Sequence, residues 1–337
     1  MKKILLIIFK YILAFSIAIL LLWWSLKNLT AQQLNEIKDA LLRAEHWLAV
    51  PVCGVLLLSH YFRALRWQQL IKPMGYQPRS FHLLCGILIG YIGNQLIPRA
   101  GEILRCTSIS NVTKTPAEKL IGTIVAERAF DIVCLFFITA GIIYFEYDVI
   151  APYAREIGDA IKKGVQTKGS KVWLIVIIIA LALIIFLLTR KFKTHRFGVF
   201  IIKMLTGLWQ GLTSIGRVKN KFLFIFYSLC IWICYAGATY IGCFALAETE
   251  HLAVSAAVAM LVFGTFGIIV APGGLGAYPV AIQKTLVLYN IPQVIGLASG
   301  WLLWIVQFIF TIIFGSLAYI AIRIANREQD EERIVHP

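Results

Sequence analysis

The sequence predicts an all-α fold: a polytopic transmembrane helix bundle with an inverted repeat and two re-entrant or broken-helix hairpins. Three observations predict it. Apolar runs of membrane-spanning length recur along nearly the whole chain. The short loops between them are rich in Lys and Arg, and two of the runs are interrupted by proline and glycine at corresponding places in the two halves. Of 337 residues, 59% are hydrophobic, against about 45–50% apolar residues in a soluble domain. Too little sequence remains outside the runs for a water-soluble catalytic domain of ordinary size.

The first run, Ile4 to Leu26, follows Met1-Lys2-Lys3 and has the charged start of a signal peptide. It extends to Trp24 without a small-x-small cleavage site, so it is expected to be a retained span. The other long runs are Trp47 to Phe62, Leu120 to Tyr144, Val172 to Leu188, Phe222 to Ala247 and Leu297 to Ile322. Two segments are less regular. Phe81 to Ile97 stops at Pro98, and Leu252 to Ala271 stops at Pro272-Gly273-Gly274. Each is followed by an amphipathic stretch, Ala100 to Thr115 and Gly276 to Asn290.

Loop charge sets the topology. The net charge is +15, from 32 Lys+Arg against 17 Asp+Glu, and the basic residues sit beside apolar runs in the positive-inside manner. No nucleic-acid partner is expected. The loop from Arg190 to Lys221 carries no acid, nor does the loop from Arg63 to Arg79 with Arg63, Arg66, Lys72 and Arg79, so both are placed in the cytoplasm. Lys27 to Glu45 and Glu146 to Lys171 mix both signs, as external loops do.

A single crossing by Phe81 to Ile97 would put the acid-free Arg190 loop outside. The conflict disappears if this segment turns at Pro98-Arg99-Ala100-Gly101 and returns through Glu102 to Ser110. The same logic makes Leu252 to Asn290 a second hairpin, entering from the opposite face, with both termini cytoplasmic. A transmembrane domain over 1–325 then contains a first repeat at about 47–145 and a second, inverted, at about 222–322; residues 326–337 form a short cytoplasmic tail. The competing reading is a pair of kinked full helices, since Gly and Pro are common in membrane spans. Phe197, Phe200, Ile201, Met204, Leu205, Leu208, Trp209 and Leu212 recur at helical spacing and place a helix at about 194–216. Periodicity leaves open whether it lies on the anionic inner leaflet or packs against the bundle.

Glu127, Arg128 and Asp131 interrupt an apolar helix that begins near Leu120. Asp131 lies roughly 18 Å along it at about 1.5 Å per residue, well inside a hydrocarbon core of about 30 Å. Each charge there costs about 2.5–3.5 kcal/mol. A helix face can hold such charges as a partly neutral network, and a purely structural triad is one reading. The neighbouring hairpin adds Arg99, Glu102 and Arg105, giving three charges of each sign. In that second reading a hydrated pocket forms, and a guanidinium released from its carboxylate holds a phosphate bidentately. Pro272-Gly273-Gly274-Leu275-Gly276 breaks the other hairpin and exposes backbone groups, as Pro98 and Gly101 do in the first. Lys284 is the only charge on the arm that follows.

The seven cysteines lie mostly within apolar runs and form no CxxC pair, so they read as small core residues. His60 has no His, Cys or acid at metal-ligand spacing and is expected to be a satisfied polar residue. No metal and no cofactor are expected. Neither a nucleophile elbow, a Walker loop nor a dinucleotide fingerprint occurs, so enzymatic chemistry is not expected, and any driving force would come from ion gradients, lipid gradients or a partner.

Four motifs in order, Arg63-Ala-Leu-Arg66-Trp67-Gln-Gln-Leu70, Pro98-Arg99-Ala100-Gly101-Glu102-Ile-Leu-Arg105, Glu127-Arg128-Ala-Phe-Asp131 and Pro272-Gly-Gly-Leu-Gly276, together resemble a known family over almost the whole chain. It is the membrane domain of lysyl-phosphatidylglycerol synthases and of the free-standing flippase-like proteins that share it. The resemblance implies translocation of polar lipids between leaflets of the cytoplasmic (inner) membrane, with relatives linked to hopanoid or glycolipid processes. The sequence lacks the soluble aminoacyl-transfer domain of the full synthases, so it is not expected to make lysyl-phosphatidylglycerol. Family members often carry an acid shortly after the glycine motif, where this chain has Ala277-Tyr278-Pro279.

The expected function is therefore transport of a polar or anionic glycolipid or phospholipid. The expected substrate-binding residues are Arg63, Arg66, Asn94, Arg99, Glu102, Arg105, Glu127, Arg128, Asp131 and Lys284. Pro98, Gly101, Pro272, Gly273, Gly274 and Gly276 are the expected hinge positions. The partners expected are membrane lipids and an envelope lipid-modifying enzyme. The alternative is an accessory protein that presents lipid to an envelope glycosyl- or acyltransferase.

Overall fold

The computed structural model describes residues 29–96, 100–113, 115–149, 151 and 218–335, with positions 16, 23, 27 and 216. The runs Ile4 to Leu26 and Val172 to Leu188 lie mostly or wholly outside the described residues, as does nearly all of the helix expected at 194–216. The described helices are α1 (Ala31–Arg43), α2 (Ala49–Ile71), α3 (Ser80–Leu96), α4 (Ala100–Thr113), α5 (Ala117–Phe145), α6 (Lys221–Cys243), α7 (Val254–Val270), α8 (Ala277–Leu288) and α9 (Gln293–Val335). Four helical stretches among them are long and apolar enough to cross a membrane: His46–Met74, Ala117–Phe145, Lys221–Cys243 and Gln293–Ala325.

Three boundaries differ from the sequence expectation. The mixed-charge stretch Lys27 to Glu45 is largely a helix rather than a loop. The Thr30 hydroxyl accepts from the Gln33 N–H while the Gln33 side chain accepts from the Thr30 N–H, a reciprocal cap that starts α1. Ile37 and Ala40 seat α1 against α9, and Arg43 pairs with Glu248 beyond the end of α6. Secondly, α2 does not end at Phe62 but carries Arg63 and Arg66 inward and runs to Ile71. Finally, α9 continues past Ala325 to Val335, so most of the expected tail is helical.

α3 and α4 pack antiparallel at very short range. A Cβ built at Gly86 would meet Ile109, one at Gly90 would lie 3.0 Å from the Gly101 carbonyl oxygen, and one at Gly93 would lie 3.0 Å from the Gly101 Cα. The Asn94 side chain closes the turn by accepting from the Gly101 N–H at 3.0 Å. α7 and α8 make a second antiparallel pair, with Gly264 against Tyr278 and Gly267 against Ala277 and Tyr278. Their connection passes through Gly273, Gly274 and Gly276 at φ of 60°, 73° and 74°, a left-handed region that side chains with a Cβ resist.

The two turns meet. A Cβ on Gly273 would run into the Gln95 side chain at the end of α3. Trp304 of α9 donates from Nε1 to the Gly273 carbonyl at 2.8 Å, pinning the broken segment. Gly315, further along α9, lets the Leu88 carbonyl and Ile92 of α3 approach closely.

The largest apolar cluster gathers Trp67, Ile71, Leu83, Ile87, Ile109, Leu120 and Phe224 from α2 to α6. A second joins Met260, Ile282 and Leu286 on α7 and α8. By contrast Ile132, Phe136, Phe137 and Ile143 of α5 are exposed, as a lipid-facing surface requires. α5 is thus peripheral on one side and charged on the other.

Candidate functional site: a buried ion cluster beside a cleft

Five charged side chains from three helices meet where α2, α4 and α5 converge. Glu127 and Asp131 are four apart on α5 and so share its inner face. Arg63 and Arg66, three apart on α2, reach them from one side, and Arg105 on α4 from another. Arg63 Nη1 donates to Glu127 Oε1 at 2.7 Å and to Asp131 Oδ2 at 2.9 Å. Arg66 Nη2 lies 2.7 Å from Asp131 Oδ1 and 3.4 Å from Glu127 Oε1. Arg105 Nη2 donates to Glu127 Oε2 at 2.8 Å.

Neutral groups hold the guanidiniums in register. Arg66 Nη1 donates to Ser228 Oγ at 3.2 Å, and Arg63 Nη2 donates to the Tyr235 hydroxyl at 3.3 Å, which in turn meets the Tyr91 hydroxyl at 3.3 Å. Arg105 lies over the Trp67 ring, 3.7 Å from its centroid, and Trp67 is itself anchored by Nε1 donating to Thr123 Oγ1 at 2.7 Å. Such stacking is worth about 2 kcal/mol or more when desolvated. The exposures of Arg66, Glu127 and Arg63 are 0%, 1% and 5%, so these pairs act at low dielectric, where partners must be complete.

The outer side of this cluster opens on a small, half-open cleft, with room for about one water, lined by Arg63, Ile87, Gly90, Tyr91, Asn94, Gly101, Glu102, Arg105 and Arg128. Arg128 does not share the face of Glu127 and Asp131, because one residue turns a helix by about 100°. It stands at the cleft instead, 3.7 Å from Glu102, with both side chains a little under half exposed.

Several expectations are corrected here. Arg63 and Arg66 are not loop charges but the most buried cations described in the site. Among the described residues the buried set is therefore three guanidiniums against two carboxylates, not three of each sign within the hairpin and α5. The sequence misses Tyr91, Ser228 and Tyr235 as participants, and names Trp67 only as part of the first motif; polar or aromatic residues on the inner faces of apolar helices are the signal the other three give. Lys284 is exposed on α8 and lines no part of the cleft. Arg99 and Pro98 lie outside the described residues. The Nδ1 of His60 has no hydrogen-bond partner among the described residues, and the ring packs at a tilt against Tyr91 and Phe310, 4.6 Å and 5.6 Å between centroids. No group of three or more His, Cys, Asp or Glu among the described residues could hold a metal.

Spanning helices with an apolar exterior, packed around buried ion pairs, define a multi-pass α-helical membrane protein. The chain belongs to the lysylphosphatidylglycerol synthase TM region family, which matches residues 11–315. The match is to the membrane region of these synthases, the part distinct from their aminoacyl-transfer domain. No curated protein and no solved structure matches the chain.

Proposed function

We propose that this protein moves a polar or anionic lipid between the leaflets of the cytoplasmic membrane, with the headgroup passing through the cleft and the acyl chains remaining in the bilayer. The observation that carries this reading is the cleft itself, which borders a buried cluster with more guanidiniums than carboxylates. Ionisable groups at membrane depth mark substrate pathways when they face a cavity rather than lipid.

In this reading the α3/α4 and α7/α8 pairs are re-entrant hairpins that enter from opposite faces. The order span, short pair, span over α2 to α5 recurs over α6 to α9, which supports an inverted repeat. α3 and α7 have 17 residues each, about 25 Å at 1.5 Å per residue, short of a core about 30 Å thick. Their meeting at Gln95 and Gly273 supports a shared site near the midplane.

The test is leaflet exchange in proteoliposomes carrying fluorescent lipids with a broad panel of headgroups. Protein-dependent exchange of at least one class is expected. Exchange no faster than in protein-free liposomes, for every headgroup and with folded protein, rejects the proposal.

A further inference from the structure

One helix belongs neither to the ion cluster nor to the two short pairs. α1 has 13 residues, about 20 Å at 1.5 Å per residue, too short to cross a core of about 30 Å. At about 100° per residue its side chains fall into three sectors. Ile37, Ala40 and Ala44 are buried in a cluster with Leu246 and with Val294, Leu297 and Ala298 of α9. Asn35, Glu36, Asp39 and Arg43 form an exposed polar sector. Between the two, Leu34, Lys38 and Leu42 recur every four residues and are exposed, the two leucines to 45% and 67%.

A single exposed leucine is ordinary, but this apolar edge continues along the chain. Past the end of α1 come Trp47 and Val50, 65% and 75% exposed, where the spanning stretch His46–Met74 begins. Trp47 Nε1 donates to Glu45 Oε2 at 3.1 Å, so an apolar ring carries a hydrogen-bonded polar tip, as aromatics at a membrane–water boundary do. Neither phase suits all of α1. Glu36, Lys38, Asp39 and Arg43 bar it from hydrocarbon, and the exposed leucines are unfavourable in water.

We propose that α1 lies in the headgroup layer of the leaflet in which α2 begins. Leu34 and Leu42 dip into the acyl boundary, the Lys38 ammonium snorkels toward the headgroups, and the Asn35 and Asp39 side faces water. The partner of this surface is the lipid interface itself, whether or not the protein transports lipid. Two contacts make α1 more than an anchor. Arg43 pairs with Glu248, and the Glu45 N–H donates to the Ala245 carbonyl at 2.9 Å, both on the connection from α6 to α7. α1 therefore holds the entrance of the second short pair at headgroup depth.

The experiment puts an NBD maleimide on single introduced cysteines, Leu42→Cys, Asp39→Cys and Phe136→Cys, in the full chain in phosphatidylcholine vesicles. It is quenched by lipids brominated on the acyl chain, or by iodide on both sides of the bilayer. The parent chain, whose seven cysteines are buried or half-buried, gives the background. All three positions are exposed, so the substitutions leave the packing intact. The label at Leu42 is expected to be quenched at least about threefold more by brominated lipid than that at Asp39, and at least about threefold less by iodide, with Phe136 on α5 marking full lipid exposure. Equal iodide quenching at Leu42 and Asp39 puts α1 in water and overturns the proposal. Protection of Leu42 from both quenchers means that protein covers this edge, another chain or a segment outside the described residues, and overturns it as well. With Leu34→Glu and Leu42→Glu combined, a label at Val254→Cys, at the head of α7, is expected to become at least about twofold more open to iodide. No change there overturns the link between α1 and the second pair.

Discussion

A guanidinium inside a membrane protein is tolerated when its donors meet acceptors and its charge meets a counter-charge, and Arg66 shows how this is done. It is fully buried, pairs with Asp131 and Glu127, donates to Ser228 and packs near the Phe224 ring. Such an ion pair adds little over a well-packed apolar substitute, yet removing one partner is costly because the other stays buried and charged. Glu127 accepts from Arg63 and Arg105 on separate oxygens. Glu127→Gln is therefore expected to destabilise the protein by about 3–5 kcal/mol, the range for breaking a buried pair, seen as a lower Tm in detergent. Arg128→Gln, at the half-exposed pair with Glu102, is expected to stay within about 0.5 kcal/mol of the parent in the same melt. Equal melting of the two variants would show that Glu127 is not the hub of the cluster.

At the scale of elements, the α3/α4 pair is held by the absence of side chains. Gly101 lies so close to Gly90 and Asn94 that an added methyl would strike the Gly90 carbonyl oxygen. Gly101→Ala must push α4 away and carry Arg105 with it, an overpacking cost of about 1–3 kcal/mol together with weaker binding or transport. Gly122 lies on the exposed side of α5, where an added methyl would have no neighbour within 4 Å, so Gly122→Ala is expected to be neutral or slightly stabilising. Melting curves and leaflet exchange on the pair check this, and an innocuous Gly101→Ala would contradict the packing described. Gly273 is constrained twice, by its φ of 60° and by Gln95. Gly273→Ala is expected to disturb the meeting of the two turns and to slow leaflet exchange, read in the same liposomes.

Among the described residues, four long helical stretches accompany two short antiparallel helix pairs. Under the proposed topology the two pairs return to opposite faces. Cysteines introduced at Lys114 and at Lys284 are then expected to react with a membrane-impermeant thiol reagent from opposite sides, above the background of the native cysteines. Labelling of both from one side would reject the opposed hairpins while leaving the ion cluster untouched. The acid-free loop after α2 loses Arg63 and Arg66 to the interior and keeps Lys72 and Arg79, so its cytoplasmic placement rests on fewer charges than the sequence suggests.

By itself the sequence determined that this is a helical membrane protein, where its four described spans lie to within a few turns, and that Glu127 and Asp131 fall inside one of them. Those properties are local: hydropathy and helix-breaking residues act over windows of a turn or a span. Only the tertiary structure decided who pairs with whom. Arg63 lies 64 positions from Glu127, and Tyr235 lies 172 from Arg63. A charge count along the chain cannot tell the inward face of a helix end from a loop, which is why Arg63 and Arg66, candidate binding residues by their sequence, nevertheless read as part of a loop and proved to be buried on α2 within the cluster. The reason is physical: in a medium that solvates no charge, the partner of each ion is chosen by helix packing, and packing joins faces rather than neighbours in sequence.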